Sequence, residues 1–174
     1  MAYPKNAPHP KLVGDRSTAR ILACLLDHFE IVSLPFGENQ RYDLIADDGK
    51  RLWKIQCKTG RLRNGVIWFN SCSSSYHHPS SRSYEFSQHS YYGEADLFGV
   101  YCPENQEVYL VPVDEIGKRR GSLRVAATRN SQERRIRWAE PYKLPAVGKK
   151  EPSARPSVLF ECSPMYAVRE FMPG

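Results

Sequence analysis

Between Tyr42 and Lys58 two apolar runs flank Asp47-Asp48-Gly49-Lys50. An Asp-Gly pair is a strong hairpin signal, because its left-handed backbone suits the twist of paired strands. The chain is therefore predicted to fold back on itself here, as strands Tyr42–Ala46 and Arg51–Lys58. With Asp48-Gly49 at the centre of a two-residue turn, Asp47 faces Lys50, Ile45 faces Leu52 and Asp43 faces Lys54. Opposed residues point to one side of a sheet, and side chains alternate along each strand. Asp43, Lys54, Gln56 and Lys58 then share a face, with Trp53, Ile55 and Cys57 on the other. Asp43 is diagonal to Gln56 at roughly 7–8 Å between backbones, a spacing that one metal ion can bridge. A three-residue turn would reverse the faces.

That face carries the parts of a phosphodiester hydrolase. A hard cation polarises a phosphate and prefers oxygen ligands. Asp43 supplies a carboxylate, Gln56 an amide oxygen and Cys57 its backbone carbonyl. Lys58 is placed to hold the attacking water. The competing reading is a half-exposed hairpin with ordinary surface charges, since Asp…Gln-x-Lys is a weak pattern by itself.

Around the hairpin the chain reads as one domain. Residues 1–11 hold Pro4, Pro8 and Pro10 and are expected to be a flexible arm. Asp15 to Phe29 is predicted as a helix, capped by Asp15 or Ser17, with Ile21, Leu22, Leu25, Leu26 and Phe29 as its apolar stripe. A strand over Ile31–Leu34 and a third hairpin-region strand over 65–71 follow. Residues 72–92 read as a long polar loop. Ala95–Cys102 and Val108–Pro112 are expected to form a second hairpin, with a short helix over Asp114–Lys118. The domain is placed at residues 12–144, and the proline-rich stretch 145–174 is expected to be poorly ordered. A helix followed by strands indicates an α/β or α+β fold with one central sheet.

The balance of charges excludes little but favours a polyanionic partner. The net charge is +6 over 174 residues, which suits nucleic acid ahead of a membrane surface. There is no apolar run long enough to span a bilayer, and the first residues lack a signal-peptide core. The five cysteines have no Cys-x-x-Cys spacing, so reduced thiols in a cytoplasm are expected. Cys72, His77, His78 and His89 match no common zinc spacing.

Longer motifs add a resemblance. They are Pro35 to Gly49, Ile55 to Gly65 and Gly93 to Glu104, followed by Tyr109 to Val113 and Arg129-Asn130 through Ile136 to Ala139. In this order they closely resemble the PD-(D/E)XK endonuclease family that includes bacterial group I intron-encoded homing endonucleases, over roughly residues 12–144. The resemblance implies a restriction-endonuclease-like fold, with a central mixed sheet flanked by helices. It implies Mg2+-dependent (or Mn2+-dependent) cleavage of double-stranded DNA by a homo-oligomer, a dimer or tetramer. By position, Asp43 matches the first acidic metal ligand, Gln56 the second motif position and Lys58 the lysine. Relatives often carry a Glu on the first helix four residues after the glycine matching Gly14; here that position is Thr18. With Gln56 neutral as well, few carboxylates remain, and Asp15 is a candidate substitute.

DNA contacts are expected from Arg61 and Arg63 after the Lys58 strand, from His77, His78 and Arg82 in the polar loop, and from the cluster Arg129, Asn130, Arg134, Arg135 and Arg137. Such mixtures of cations and amides suit phosphate positioning, although each also reads as a solvated charged surface. A Holliday-junction-type nuclease and a DNA-binding protein with impaired catalysis remain as alternative functions.

Overall fold

The computed structural model describes residues 8–37, 39–77, 85–128, 134 and 136–145. A five-stranded mixed sheet forms its centre, in the order β1-β2-β3-β8-β9. Its strands are β1 (Ile31–Ser33), β2 (Leu44–Asp47), β3 (Leu52–Thr59), β8 (Leu97–Cys102) and β9 (Glu107–Pro112). Neighbours run antiparallel except β3 and β8, which are parallel. A second sheet has the order β10-β5-β4, from β4 (Arg61–Arg63), β5 (Val66–Asn70) and β10 (Arg120–Arg124).

One helix, α1 (Pro10–Leu26), packs on one face of the central sheet. It starts inside the stretch expected to be an arm. Pro10 occupies the first turn, where a missing N–H costs nothing, and the His9 ring accepts a hydrogen bond from the Lys11 N–H at 3.3 Å. Asp15 and Ser17 therefore lie inside the helix and do not cap it. Ile21 and Leu25 are fully buried against Leu44, Ile55, Leu97 and Leu110. Leu26, expected in the stripe, is exposed because the helix ends there, while Phe29 is buried just beyond it.

The opposite face is covered by strands as well as by loops. Ile67, Phe69 and Leu123 of the second sheet pack on Phe98, Val100 and Val111. The rings of Phe69 and Phe98 meet edge-on at 5.7 Å. Where the sheet was expected to be flanked by helices, the described residues hold one α-helix on one face and a β layer on the other. Asn64 and Gly65, both with positive φ, make the two-residue turn from β4 to β5, as an Asn-Gly pair favours.

Two sequence expectations change here. Most of the stretch read as a polar loop is a hairpin, β6 (Cys72–His77) paired antiparallel with β7 (Glu85–Ser90). It lacks the apolar alternation that marks a half-buried strand, so pattern alone concealed it. The β2–β3 register is also shifted: Asp47 pairs with Leu52, Ile45 with Lys54 and Leu44 with Ile55. The turn spans residues 48–51, because carboxylates wrap it. Asp47 accepts from the Gly49 N–H, and Asp48 accepts from the Lys50 and Arg51 N–H groups and the Trp53 indole. The shift is two residues, so every side chain keeps its predicted face.

Candidate active site

Asp43 stands immediately before β2, opposite the middle of β3. Regular pairing stops at Leu44 and Ile55, and beyond it the Asp43 carboxylate takes over. Its Oδ2 accepts the Cys57 backbone N–H at 2.7 Å and the Gln56 amide at 2.5 Å. No described residue donates to Oδ1. The shifted register thus brings Asp43 against Gln56 directly, closer than the diagonal relationship expected from a two-residue turn.

Lys58 follows two residues after Gln56, on the same side of β3. Its Nζ donates to the Tyr91 hydroxyl at 3.0 Å and lies 4.2 Å from the centre of that ring. The Arg41 guanidinium also lies 4.2 Å from the Tyr91 ring centre. Arg41 in turn binds Glu94 at 2.6 Å, the Ser73 hydroxyl at 2.8 Å and the Ser90 carbonyl at 2.8 Å. The base of the β6–β7 hairpin is therefore tied to the segment two residues before Asp43. Sequence reading assigned no role to Arg41 or Tyr91. Arg41 lies in the same short segment as Asp43, but nothing local in the sequence relates Tyr91 to Lys58.

The helix supplies the remaining wall. A cleft of about 280 Å3 is bounded by Asp43, Gln56, Cys57 and Lys58 on one side and by Lys11, Asp15, Ser17 and Thr18 on the other. Ser17 is buried, and its hydroxyl lies 2.6 Å from that of Thr59. This contact ties α1 to the end of β3. Thr18 and Cys57 face each other across this cleft.

Electrostatics follow from this packing. Burial raises the Asp43 pKa above the ordinary aspartate value, although the Cys57 N–H, Lys58 and the Gln56 amide pull it down. Burial also pushes the Cys57 thiol far up, with Asp43 adding to the effect. Cys57 is therefore a neutral thiol near neutral pH, and the donor it could offer a cation is its backbone carbonyl rather than a thiolate.

The donor set suits a hard cation held by few charges. Asp43 Oδ1, the Gln56 amide oxygen and the Cys57 carbonyl are oxygen donors, as such ions prefer. The Gln56 amide would have to turn, since its nitrogen now faces Asp43. No group of three or more His, Cys, Asp or Glu side chains gathers anywhere among the described residues.

The other sequence candidates are spread more widely. Arg61 and Arg63 are exposed on β4, and Arg61 lies 4.0 Å from Glu104. His77 ends β6. Arg134 is exposed in a turn. Arg137 is turned to Glu115, donating to its carbonyl and lying 3.9 Å from its carboxylate. His78, Arg82, Arg129, Asn130 and Arg135 lie outside the described residues. Asp96 is structural: it accepts from the Lys54 N–H at 2.8 Å and pairs with Arg51 at 3.0 Å.

Comparison with known proteins agrees with this geometry. A family model described as PD-(D/E)XK endonuclease matches residues 8–145. No curated protein matches the sequence. Among solved structures, the chain is similar to the bacterial homing endonuclease I-Ssp6803I, with a TM-score of 0.56 and 22% identity, over 78% of this chain and 89% of that one. With the family match, that likeness identifies the fold as restriction-endonuclease-like.

Proposed function

Starting from the fact that this chain belongs to the PD-(D/E)XK endonuclease family, we propose that it hydrolyses phosphodiester bonds in double-stranded DNA with the help of Mg2+ or Mn2+. The observation that carries the reading is the bonding of Asp43 to the Gln56-Cys57 segment, with Lys58 next along the same strand. Asp43, Gln56 and the Cys57 carbonyl would hold the cation, which when bound supplies Lewis acidity at the phosphate. Lys58 holds the attacking water and stabilises negative charge as the phosphate is attacked. The Tyr91 hydroxyl keeps the ammonium from swinging out of the cleft. Lys11, on the opposite wall, offers a second positive charge for the DNA backbone.

The test is incubation of purified protein with supercoiled plasmid and Mg2+ or Mn2+, beside Lys58→Ala and Asp43→Ala. Nicking by the wild type and its loss in both variants is the expected result. Cleavage by either variant at the wild-type rate overturns the site assignment. We further propose that the substrate is linear duplex with a defined target, as for a homing enzyme, and that the active species is a homo-oligomer. Preferential cutting of four-way junctions over linear duplex would instead favour the junction-resolving alternative. The neutral Thr18 and Gln56 keep one other reading alive, a DNA-binding protein with impaired catalysis; salt-sensitive binding without nicking by the wild type would establish it.

A further inference from the structure

The three strands of the second sheet present two chemically opposite faces. Leu62, Ile67 and Leu123 are aligned across it, and Phe69 lies opposite Gly121. These pack inward on the central sheet. The residues between them point outward. Arg61 is aligned with Trp68 and Ser122, Arg63 with Val66 and Arg124, and Asn70 with Arg120. Four arginines thus surround one tryptophan that remains 41% exposed. The Arg120 guanidinium lies 5.9 Å from the Trp68 ring centre.

No strand of this sheet contains an acidic residue. The Arg61 charge is shared with Glu104 at 4.0 Å, from the turn between β8 and β9. Arg124 donates to the carbonyls of Ala126 and Ala127, which orient its guanidinium without neutralising it. Among the described residues no carboxylate pairs with Arg63, Arg120 or Arg124. Like charges gathered this way cost stability unless an anion covers them. Arginine forks match phosphate oxygens, and an exposed indole with a neighbouring amide can lie against sugar or base. Arg61 and Arg63 stand two residues apart on β4, roughly 6.6 Å, and Arg120 and Arg124 stand four apart on β10, roughly 13 Å. A run of phosphates fits these spacings, whereas one small anion would reach few of the forks.

The face is also joined to the candidate active site. Only Thr59 and Gly60 separate Lys58 from Arg61, a chain distance of roughly 10 Å. We infer that the outward face of β4, β5 and β10, with Arg61, Arg63, Trp68, Arg120 and Arg124, is a backbone-binding surface that seats double-stranded DNA beside the Lys58 strand. The inference rests on duplex DNA being the substrate, and it brings Trp68, Arg120 and Arg124 together with Arg61 and Arg63 on one DNA-facing surface. Contacts of this kind position the duplex and carry no base sequence.

The test measures binding of a fluorescent duplex by the full chain, without divalent metal, across a salt series. Arg63 and Arg120 are both exposed, so R63Q/R120Q is expected to keep the wild-type circular dichroism and melting temperature. Its affinity should fall on the order of tenfold per lost contact at 0.1 M salt, and the slope of log K against log salt should flatten by about 2. R63K/R120K, which keeps the charges, should retain the slope. The inference is overturned if the wild type binds no duplex, or if R63Q/R120Q keeps wild-type affinity and slope. It is also overturned if that variant loses binding to poly-L-glutamate while its DNA binding is unchanged, since the face would then serve an acidic protein. Plasmid nicking assayed in parallel separates the two proposals. A wild type that binds with the expected slope changes but does not nick retains this surface and rejects the nuclease reading.

Discussion

The Lys58 ammonium sits 3.0 Å from the Tyr91 hydroxyl and 4.2 Å from the centre of the same ring, although the two residues are 33 positions apart. Tyr91 is buried, packed edge-on against Phe98 and faced by Arg41. It therefore has little freedom, and it fixes where the Lys58 charge is held. Tyr91→Phe removes the hydrogen bond but keeps the ring. With Lys58 positioning the water, kcat should fall about tenfold, the equivalent of ~1.4 kcal/mol, while KM and duplex affinity stay near wild type. Single-turnover cleavage together with binding titrations makes the measurement. A change confined to KM would show that Tyr91 acts on DNA binding instead.

Asp43 should destabilise the metal-free protein in its charged form. Burial is the largest influence and raises its pKa, so the folded chain binds this proton more tightly than the unfolded chain does. The contribution to stability therefore grows as pH falls through the raised value and is complete below the ordinary aspartate range; above the raised value it is lost. Asp43→Asn removes the buried charge and leaves an acceptor for the Cys57 N–H. At neutral pH without metal its Tm should exceed that of the wild type, by roughly 2–4 °C for each kcal/mol relieved. Added Mg2+ should stabilise the wild type more than the variant. Thermal melts with and without chelator decide both points, and a variant melting below the wild type in chelator would contradict the burial account.

In the proposed site Cys57 would contribute only its backbone carbonyl, so its thiol is expected to be dispensable for chemistry. The pKa of the buried thiol is held far above neutrality, and thiol-directed reagents should leave plasmid nicking intact. Cys57→Ala should keep cleavage within a few-fold of wild type and lower stability by about 1 kcal/mol through lost packing. Loss of nicking in a variant that still melts cooperatively would show that the sulfur itself takes part.

Gly60 is the pivot between the candidate active strand and the arginine-bearing sheet. A Cβ there would come within 2.7 Å of the Ile67 side chain and 3.1 Å of Val100. Both are fully buried, so neither can move aside cheaply. Gly60→Ala should cost roughly 1–3 kcal/mol, measured as a shifted urea midpoint. A neutral result would mean that the two sheets can separate slightly without loss.

Much of the candidate site was legible because it lies within one hairpin. Alternation from Tyr42 to Lys58 set the faces, and an error of two residues in the turn left them unchanged. Asp43, Gln56 and Lys58 are therefore properties of local chain geometry, as are the Ile21–Leu25 stripe and the β8–β9 hairpin. The Asn64-Gly65 turn carried an equally plain signal. What the sequence could not display is pairing between distant segments. The parallel alignment of β3 with β8 brings Asp96 to the Lys54 backbone. The β6–β7 hairpin has polar strands with no apolar rhythm, and its base meets Arg41 only in the assembled fold. Periodicity records which side of a strand is buried, not which strand lies next to it. The tertiary structure thus decided that Tyr91 holds Lys58, that Ser17 braces Thr59, and that four scattered arginines share one face.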